Sequence, residues 1–267
     1  MMNIIEKPGL IVISCSKENA SEFKSIIEKT RKIDGVGAYQ IPDDFLFGYS
    51  INRLKPYSEL AQDSGKKLIY NCPIDDPEDA QKTARRLNDA KISAVIISPV
   101  LGIEASVRRY GMDIDEEPHP GVGAVWIKAM QEAGLAVIVR GLLTYLGSIT
   151  TEGGFIEPHA SLRIYDESVR LLDVRDLQVP ANREEEARTL RNSLAALNAA
   201  EVRGNWKGEE DIHYYPTGIG RQGGKVGELP EIFGRNVHPV VRSRIVEQPD
   251  IEKATKEFLE ELEKAYQ

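Results

Sequence analysis

The sequence has little of several features that mark particular classes of protein. Only two cysteines, Cys15 and Cys72, occur among the 267 residues, too few for the disulfide framework of a small secreted domain. Lys and Arg number 34 against 42 Asp and Glu, so the formal net charge is -8. This sign disfavours binding to the phosphate backbone of a nucleic acid. We therefore expect no nucleic-acid partner and a reducing compartment.

Long apolar runs are also lacking. The most apolar stretches, 94–103 and 135–146, are too short to span a bilayer, and Arg140 interrupts the second. The first residues show no basic segment followed by an apolar one, which a secretion signal would require. These observations predict a cytoplasmic protein with no membrane partner.

Metal-binding patterns are absent as well. The four histidines stand singly in the sequence, and neither an HExxH nor a CxxC spacing occurs; the histidines are His119, His159, His213 and His238. Zinc and related sites need several ligands at short, regular spacings. The sequence therefore predicts no metal site, and it points to no other cofactor.

Eight short runs rich in β-branched residues recur along the chain and predict strands. They lie at 10–14, 36–40, 68–71, 94–98, 136–140, 177–179, 212–215 and 240–241. The segments between them carry helical periodicity and helix start signals. Continuous apolar runs, rather than alternating ones, indicate strands buried on both faces of a parallel sheet. The predicted fold is α/β, a (β/α)8 TIM barrel formed as a single domain by residues 1–267.

Polar residues mark the predicted starts of three helices. Asp76 precedes Pro77, Asn182 precedes a charged helical run, and Asp250 precedes the last helix. Short polar side chains at these places cap the first free N–H groups of a helix.

The connection after the fourth strand contains an inserted loop at 111–120. This segment is acidic and ends with two prolines. Loops that follow the strands of a TIM barrel lie at its mouth, the end of the barrel where the strands end and ligands bind. The insertion is therefore either a lid over the site or a solvated surface excursion.

A glycine-rich segment after the seventh predicted strand points to phosphate binding. Glycines let backbone N–H groups approach a ligand, and TIM barrels bind phosphate between the loops after strands seven and eight. Arg242 ends the eighth strand and brings a guanidinium to the same loops. Such a turn by itself is often only a turn, but together these signals predict a phosphate site formed by Gly220, Arg221, Gln222, Gly223, Gly224 and Arg242.

With these residues, the chain resembles the orotidine 5'-phosphate decarboxylase superfamily, especially its archaeal members, from Gly9 to the C-terminus. The resemblance rests on the strand spacing and on the sequences Gly218-Ile219-Gly220-Arg221-Gln222-Gly223-Gly224, Val241-Arg242-Ser243 and Gln248-Pro249. It implies that Gln222, the Gly223 N–H and Arg242 hold the 5'-phosphate of a ligand. It further implies lyase chemistry and a homodimer with the catalytic face near the subunit interface.

The catalytic part of the family pattern is missing. The resemblance implies Asp at the end of the first strand, Lys on the second and Asp-x-Lys-x-x-Asp on the third, with a lysine that protonates the carbon losing carboxylate. The corresponding positions read Cys15, Gly37 and Asn71-Cys72-Pro73-Ile74-Asp75-Asp76, so only Asp76 matches. Without the proton source and the paired charges, we expect no decarboxylation of orotidine 5'-phosphate.

Other polar residues near the mouth are candidates for chemistry. Asp76, Asn71 and Arg140 are the candidates for catalysis, with Lys17 and Ser98 at the same end of the barrel. Asp76 has an alternative role as a helix cap. Arg140 interrupts an apolar strand, so its charge must meet either a carboxylate or a ligand anion.

The cysteines suggest no chemistry. Cys15 is either a nucleophile at the mouth or, more commonly for such a residue, a small buried thiol. Cys72 should face the helices when Asn71 faces the barrel interior, because side chains alternate along a strand.

Two functional hypotheses follow, and both take a phosphorylated small molecule as partner. In the first, an enzyme of altered chemistry holds a sugar phosphate or nucleoside 5'-phosphate by its phosphate and reacts it near Asn71, Asp76, Ser98 and Arg140. In the second, the chain is a non-catalytic descendant that binds a phosphorylated metabolite or serves as a subunit.

Overall fold

The computed structural model of the chain describes residues 4–5, 9–15, 20–41, 51–100, 102–105, 119–145, 147–154, 156–202, 204 and 206–267. Strands β1 to β8 span Ile11–Ser14, Val36–Ile41, Lys67–Asn71, Ala94–Ile97, Ala136–Arg140, Asp176–Gln178, His213–Tyr214 and Val240–Val241. Helices α1 to α8 span Ala20–Thr30, Lys55–Gln62, Ala80–Asp89, Val122–Glu132, Pro158–Leu172, Glu184–Ala195, Leu229–Phe233 and Ile251–Ala265. One helix follows each strand, and every predicted strand is confirmed.

The strands form one parallel sheet that closes on itself. Their order is β8-β1-β2-β3-β4-β5-β6-β7. The two edges meet where the Tyr214 N–H donates to the Asn236 carbonyl and the His238 N–H donates to the Tyr214 carbonyl, each at 2.8 Å. The Val240 N–H donates to the Pro216 carbonyl, also at 2.8 Å. The fold is therefore the predicted single-domain (β/α)8 TIM barrel.

Side chains alternate along each strand between the barrel interior and the helix layer. The interior contains an apolar cluster that includes Val12, Ala38, Ile69, Ile96, Ile138 and Val240. The residues between them pack against the helices in a larger second cluster, which includes Cys15 and Cys72. Cys72 thus faces the helices, as the sequence predicts.

A bulge in β2 sets its register against β1. Ile11 pairs with Val36 and Val12 pairs with Ala38, so Gly37 has no partner on β1. A Cβ at this position would lie 2.9 Å from Leu10 Cβ, which only glycine avoids. Beyond the bulge the pairing is regular and brings Gln40 opposite Ser14.

Polar side chains inside the barrel pair with one another. The Tyr215 hydroxyl donates to Asp176 Oδ1 at 2.9 Å. Burial raises the pKa of Asp176 to about 7, although the Tyr215 hydroxyl and the Ile4 N–H act to lower it. His213 Nδ1 lies 2.9 Å from His238 Nε2 with the rings stacked, and burial lowers the pKa of His238 to about 3. The polar groups inside the barrel are therefore satisfied by one another, and burial acts against the charged form of each.

Two of the predicted helix caps are confirmed and one is wrong. Asp250 Oδ1 accepts a hydrogen bond from the Lys253 N–H at 3.0 Å and caps α8, and Asp76 caps the short helical turn that precedes α3. Asn182 caps nothing, because α6 begins two residues later and the Asn182 side chain turns to the loop after β5. In the described part of the chain, no helix is both long enough and apolar enough to cross a membrane.

The predicted insertion at 111–120 is described only at its end. His119–Pro120 forms a short antiparallel pair with Glu104–Ala105, whereas 111–118 lie outside the described residues. The two alternatives for the insertion, a lid over the site or a solvated surface excursion, stay predictions.

The raised pKa of Asp176 predicts that stability falls as pH rises. Asp176 binds its proton more tightly in the folded protein, where its pKa is about 7, than at its ordinary value of 3.8. The contribution of Asp176 to the free energy of unfolding is therefore complete below pH 4. It decreases by about 4 kcal/mol as the pH rises towards 7. In Asp176→Asn, which keeps the acceptor for Tyr215 but cannot ionise, this loss should disappear.

Urea unfolding at several pH values between 4 and 8 measures this difference. The exposed Asp89 supplies the control: Asp89→Asn should keep the wild-type pH profile. The lowered pKa of His238 affects all three proteins alike and cancels in the comparison. Parallel pH profiles of the free energy of unfolding for wild type and Asp176→Asn would contradict the raised pKa of Asp176.

Candidate functional site

The mouth of the barrel is lined by polar side chains at the ends of five strands. Each lies two residues beyond a member of the interior apolar cluster and so faces the same way; they are Ser14, Gln40, Asn71, Ser98 and Arg140. Four of the five are uncharged, and the fifth is a guanidinium. Gln40 Oε1 is buried and has no hydrogen-bond partner among the described residues. The ends of β1 to β5 therefore offer amide and hydroxyl groups together with the Arg140 guanidinium.

Arg140 is held on the inward face of the barrel. Its Nε donates to Ser98 Oγ at 2.8 Å, across the β4–β5 pair. Behind it, the Tyr165 hydroxyl donates to the Gln178 carbonyl at 2.6 Å and accepts from the Leu142 N–H at 3.0 Å. Burial raises the pKa of Tyr165 to about 12, so it remains a neutral hydrogen-bonding group. Both residues lie at the end of the barrel that the sequence predicts, and the Ser98 hydroxyl is one partner of the Arg140 guanidinium, where the sequence led us to expect a carboxylate or a ligand anion.

Asp76 has a structural role as a helix cap. Its Oδ1 accepts a hydrogen bond from the Glu78 N–H at 2.9 Å, and the residue is exposed at the start of the turn before α3. This is the helix-capping role that the sequence analysis gave as the alternative to catalysis. Asn71, in contrast, is 7% exposed and faces the barrel interior. Lys17 lies outside the described residues.

The sequence-based matching of Cys15 and Gly37 to the mouth is wrong. Cys15 packs in the layer between the strands and the helices, where burial raises the pKa of its thiol; the inward residue at the end of β1 is Ser14. Gly37 lies at the opposite end of β2, against Ile5 and Leu10. The bulge shifts the inward positions, so Gln40 is the β2 residue at the mouth.

The glycine-rich segment 218–224 forms a tight loop after β7. Gly218, Gly220 and Gly223 have φ values of +79°, +92° and +100°, which only glycine adopts without strain. The N–H groups of Gly220, Gly223 and Gly224 donate to carbonyls within the loop at 2.9 to 3.0 Å. The Gly223 N–H is thus engaged within the loop, unlike the expectation from the resemblance. At the tip, the N–H groups of Arg221 and Gln222 meet no acceptor among the described residues.

Two arginines meet at one carboxylate beside this loop. Arg221 Nη1 lies 3.0 Å from Glu247 Oε2, and Arg242 Nε lies 3.8 Å from Glu247 Oε1. Arg242 follows the β1–β8 pair of Ile13 and Val241, so it ends the strand next to Ser14. The two predicted phosphate-binding arginines are therefore brought together, with a glutamate that the sequence analysis did not identify.

Gln222 and Asn182 tie the glycine-rich loop to the loop after β5. Gln222 Nε2 donates to Thr144 Oγ1 at 3.0 Å, and Asn182 Nδ2 donates to the Thr144 carbonyl at 3.1 Å. Asn182 Oδ1 is buried without a partner among the described residues. Gly218 packs against both Asn182 and Thr144, and a Cβ there would lie 2.9 Å from Asn182 Oδ1.

Arg183 holds the loop after β5 in place. Its side chain is 5% exposed and donates to the carbonyls of Leu143 and Tyr145, to Ser148 Oγ and, through two nitrogens, to Glu152. The hydrogen bonds from Arg183 hold the pKa of Glu152 below its ordinary value. No signal in the sequence marked Arg183, because its partners lie about 30 to 40 residues away along the chain.

No group of three or more His, Cys, Asp or Glu side chains in the described chain is arranged to hold a metal ion. The fold and the site together define a TIM barrel with a polar mouth and an arginine pair beside its glycine-rich loop.

No family model and no curated protein matches the sequence, but the fold is that of the orotidine 5'-phosphate decarboxylases. The enzyme of Methanocaldococcus jannaschii, in complex with the inhibitor BMP, superposes with a TM-score of 0.70 at 15% identity, covering 96% of this chain and 99% of that one. The enzyme of Pyrococcus horikoshii OT3 gives 0.66 at 18%, covering 95% and 99%. The enzyme of Sulfolobus solfataricus gives 0.67 at 11%, covering 97% and 100%. Identities this low show the fold alone.

The buried Arg183 network predicts a large effect of its removal. Arg183→Met removes several hydrogen bonds to Glu152, to Ser148 and to two carbonyls, although Glu152 keeps the Gly147 N–H, and should lower the free energy of unfolding by about 1–3 kcal/mol. Amide hydrogen exchange across 142–153 should accelerate, since this loop loses its central contact. Urea unfolding and exchange mass spectrometry measure the two effects.

Arg188 on α6 supplies the matched control. It pairs with Glu184 and Glu231 at the surface, and such exposed pairs contribute little to stability. Arg188→Met should therefore leave the exchange of 142–153 unchanged. Equal effects of the two substitutions would mean that Arg183 does not hold the loop.

Proposed function

We propose that the protein binds a sugar phosphate or a nucleoside 5'-phosphate at the barrel mouth, with the phosphate between segment 220–224 and Arg242. One observation carries the proposal: Arg221 and Arg242, from the loops after β7 and β8, converge on a single carboxylate. Carboxylate and phosphate oxygens are recognised by the same guanidinium donors. A place where two arginines already hold one anionic group is suited to a phosphate.

Backbone donors at the loop tip add to this arrangement. The N–H groups of Arg221 and Gln222 lie at the turn between Gly220 and Gly223, beside the Arg221 guanidinium. The hydrogen bonds within the loop keep this turn in one conformation. A fixed set of donors loses little entropy when an anion binds.

The remaining polar groups of the mouth suit the rest of the ligand. Gln40 Oε1 is a buried acceptor that would gain from a ligand N–H or O–H. Asn71 adds an amide, and the Arg140–Ser98 pair offers donors to a ligand oxygen. This combination supports binding of a polar, anionic metabolite by hydrogen bonds.

A lyase of altered chemistry is the second candidate. It is favoured by Arg140, whose guanidinium faces the mouth and would stabilise a developing oxyanion. Against it, none of the inward side chains named at the mouth is a carboxylate, a lysine or a histidine, the usual groups for proton transfer. Asp76 is exposed and capping. Ligand binding, which both candidate functions require, is therefore the function the geometry supports best.

Two further parts of the proposal rest on the sequence and the resemblance. We propose that the protein is a cytoplasmic homodimer with the mouth near the subunit interface. Sedimentation equilibrium of the purified chain tests the dimer, and a monomer at all concentrations would contradict it.

Loss of the Arg242 guanidinium should weaken binding through the phosphate only. In Arg242→Ala, the affinity for ribose 5-phosphate and for uridine 5'-monophosphate should fall about tenfold or more, since a charge-assisted hydrogen bond contributes about 1.5–3 kcal/mol. Any binding of ribose and uridine should not change. Isothermal titration calorimetry measures all four.

The control removes an arginine at the other end of β8. Arg235 is exposed and precedes the strand, so Arg235→Ala changes the net charge equally without touching the mouth. It should leave the affinities unchanged. Equal losses in both variants, or no phosphate-dependent binding by the wild type, would count against the proposal.

Orotidine 5'-phosphate should not be decarboxylated. Gln40, Asn71 and Pro73 provide neither a proton donor of suitable pKa nor a negative charge beside the substrate carboxylate. An ultraviolet assay of the conversion measures this directly. Turnover abolished by Asp76→Asn would show that an acid has been overlooked and would favour the lyase.

A further inference from the structure

Glu247 lies where the two phosphate-binding loops meet. Its two oxygens are divided between the loops, with Oε2 3.0 Å from Arg221 Nη1 and Oε1 3.8 Å from Arg242 Nε. The glutamate side chain is 30% exposed, against 78% for Arg221 and 55% for Arg242. The carboxylate is therefore less exposed than either of the two guanidiniums that it contacts.

The turn after β8 positions this carboxylate. The N–H groups of Ile245 and Val246 donate to the Arg242 carbonyl at 3.0 and 2.7 Å. Gln248 Nε2 donates to the Ser243 carbonyl at 3.0 Å, on the far side of the turn. The backbone thus reverses between Arg242 and Glu247 and directs the glutamate back to the end of β8. The contact is set by the folded turn as well as by the attraction of the charges.

We propose that Glu247 is an internal competitor for the phosphate group: its carboxylate pairs with the charges of Arg221 and Arg242, the two guanidiniums that a ligand phosphate must take over. The inference rests on the proposed function and deepens it. A phosphate that binds both arginines has to displace the carboxylate or share the guanidiniums with it, and its own charge is repelled by Glu247 at close range. Glu247 thereby lowers the affinity of the site for any phosphate group.

The consequence is that inorganic phosphate fills the site less at a given concentration, although the ratio of its affinity to that of a whole ligand is unchanged. Competition at the arginines reduces the affinity of every phosphate-containing molecule by the same factor. A sugar phosphate offsets this reduction through contacts of its other end in the barrel mouth, whereas inorganic phosphate has no other end. Glu247 therefore keeps the site from being filled by free phosphate while a larger ligand still binds.

Replacement of the carboxylate by an uncharged amide tests the competition. In Glu247→Gln, the Kd values for inorganic phosphate and for ribose 5-phosphate should fall by the same factor, about three- to tenfold, which is the range expected when two exposed ion pairs no longer have to be broken. Any binding of ribose should not change. Glu247→Ala should give the same gain and serves if the amide variant folds poorly, which circular dichroism melting detects.

A matched control uses the neighbouring pair of Arg244 and Glu261. Arg244 Nη1 and Nη2 both contact this glutamate, which projects from α8. Arg244 is only two residues from Arg242 and its pair is similarly exposed. Glu261→Gln removes the same charge from the same face of the protein. It should leave both Kd values unchanged, which separates local competition from a general change in charge.

The outcomes separate this inference from the proposed function. If wild type binds ribose 5-phosphate and Arg242→Ala weakens that binding, the proposed function stands; unchanged or weaker binding by Glu247→Gln would then overturn the competition alone and show that the glutamate orients the arginines for the ligand. A gain for ribose 5-phosphate without a gain for inorganic phosphate would also overturn it. If neither wild type nor Glu247→Gln binds any phosphate, the proposed function and the inference both fail.

Discussion

Closure of the parallel sheet is the constraint on which the rest of the structure depends. The hydrogen bonds from the segment 236–240 to Tyr214 and Pro216 join the last strands and complete the ring. Without them, segment 218–224 and Arg242 would lie at two free edges of an open sheet. Closure places the loops after β7 and β8 side by side, and it sets the ends of all eight strands around one mouth. The candidate site is therefore a product of the ring rather than of any one element.

Within that ring, positive charges are placed at different depths with different partners. Arg183 is buried and satisfied by Glu152, Ser148 and backbone carbonyls, so its role is to fix the loop that carries Thr144. Arg140 faces the mouth against a hydroxyl. The exposed arginines of the phosphate loops share one carboxylate. A buried charge must be fully paired, whereas an exposed one keeps donors for exchange. The depth of each arginine thus indicates whether it supports the fold or is available to a ligand.

Local patterns in the sequence were enough to predict the strands and the faces of several residues. β-branched runs located all eight strands, and alternation placed Asn71 inside and Cys72 outside. The same reasoning failed at Gly37, because a bulge adds one residue and exchanges the two faces of the strand beyond it. Had Gly37 been recognised as a bulge, Gln40 would have been the predicted residue at the mouth.

Contacts between distant segments were beyond the reach of such patterns. Arg183 has no periodicity or motif that links it to Glu152, 31 residues earlier. The sequence analysis assigned no role to Glu247, which follows the end of β8. Its partner Arg221 lies on another loop, so local patterns could not reveal the contact. Asn182 has the residue type and position of a helix cap, yet the Thr144 carbonyl provides a tertiary partner instead. Each of these side chains contacts a partner that is distant in the sequence. Such contacts depend on the folded geometry and are not visible in local sequence patterns.

The two parts of the mouth place different demands on a ligand, and this difference bears on function. The arginine pair attracts an anion strongly but does not distinguish one phosphate ester from another, because phosphate presents the same oxygens in each. Gln40 and Asn71 are neutral, so they attract little at a distance, but a buried Gln40 Oε1 left without a donor is costly. A ligand without a donor for Gln40 Oε1 would bind more weakly. A ligand with such a donor would contact both the arginine pair and the amides. Under the proposed function, affinity would reside in the arginine pair and selectivity in the uncharged amides. A binding protein and an enzyme would both need a ligand that satisfies these amides, so this requirement holds under either hypothesis.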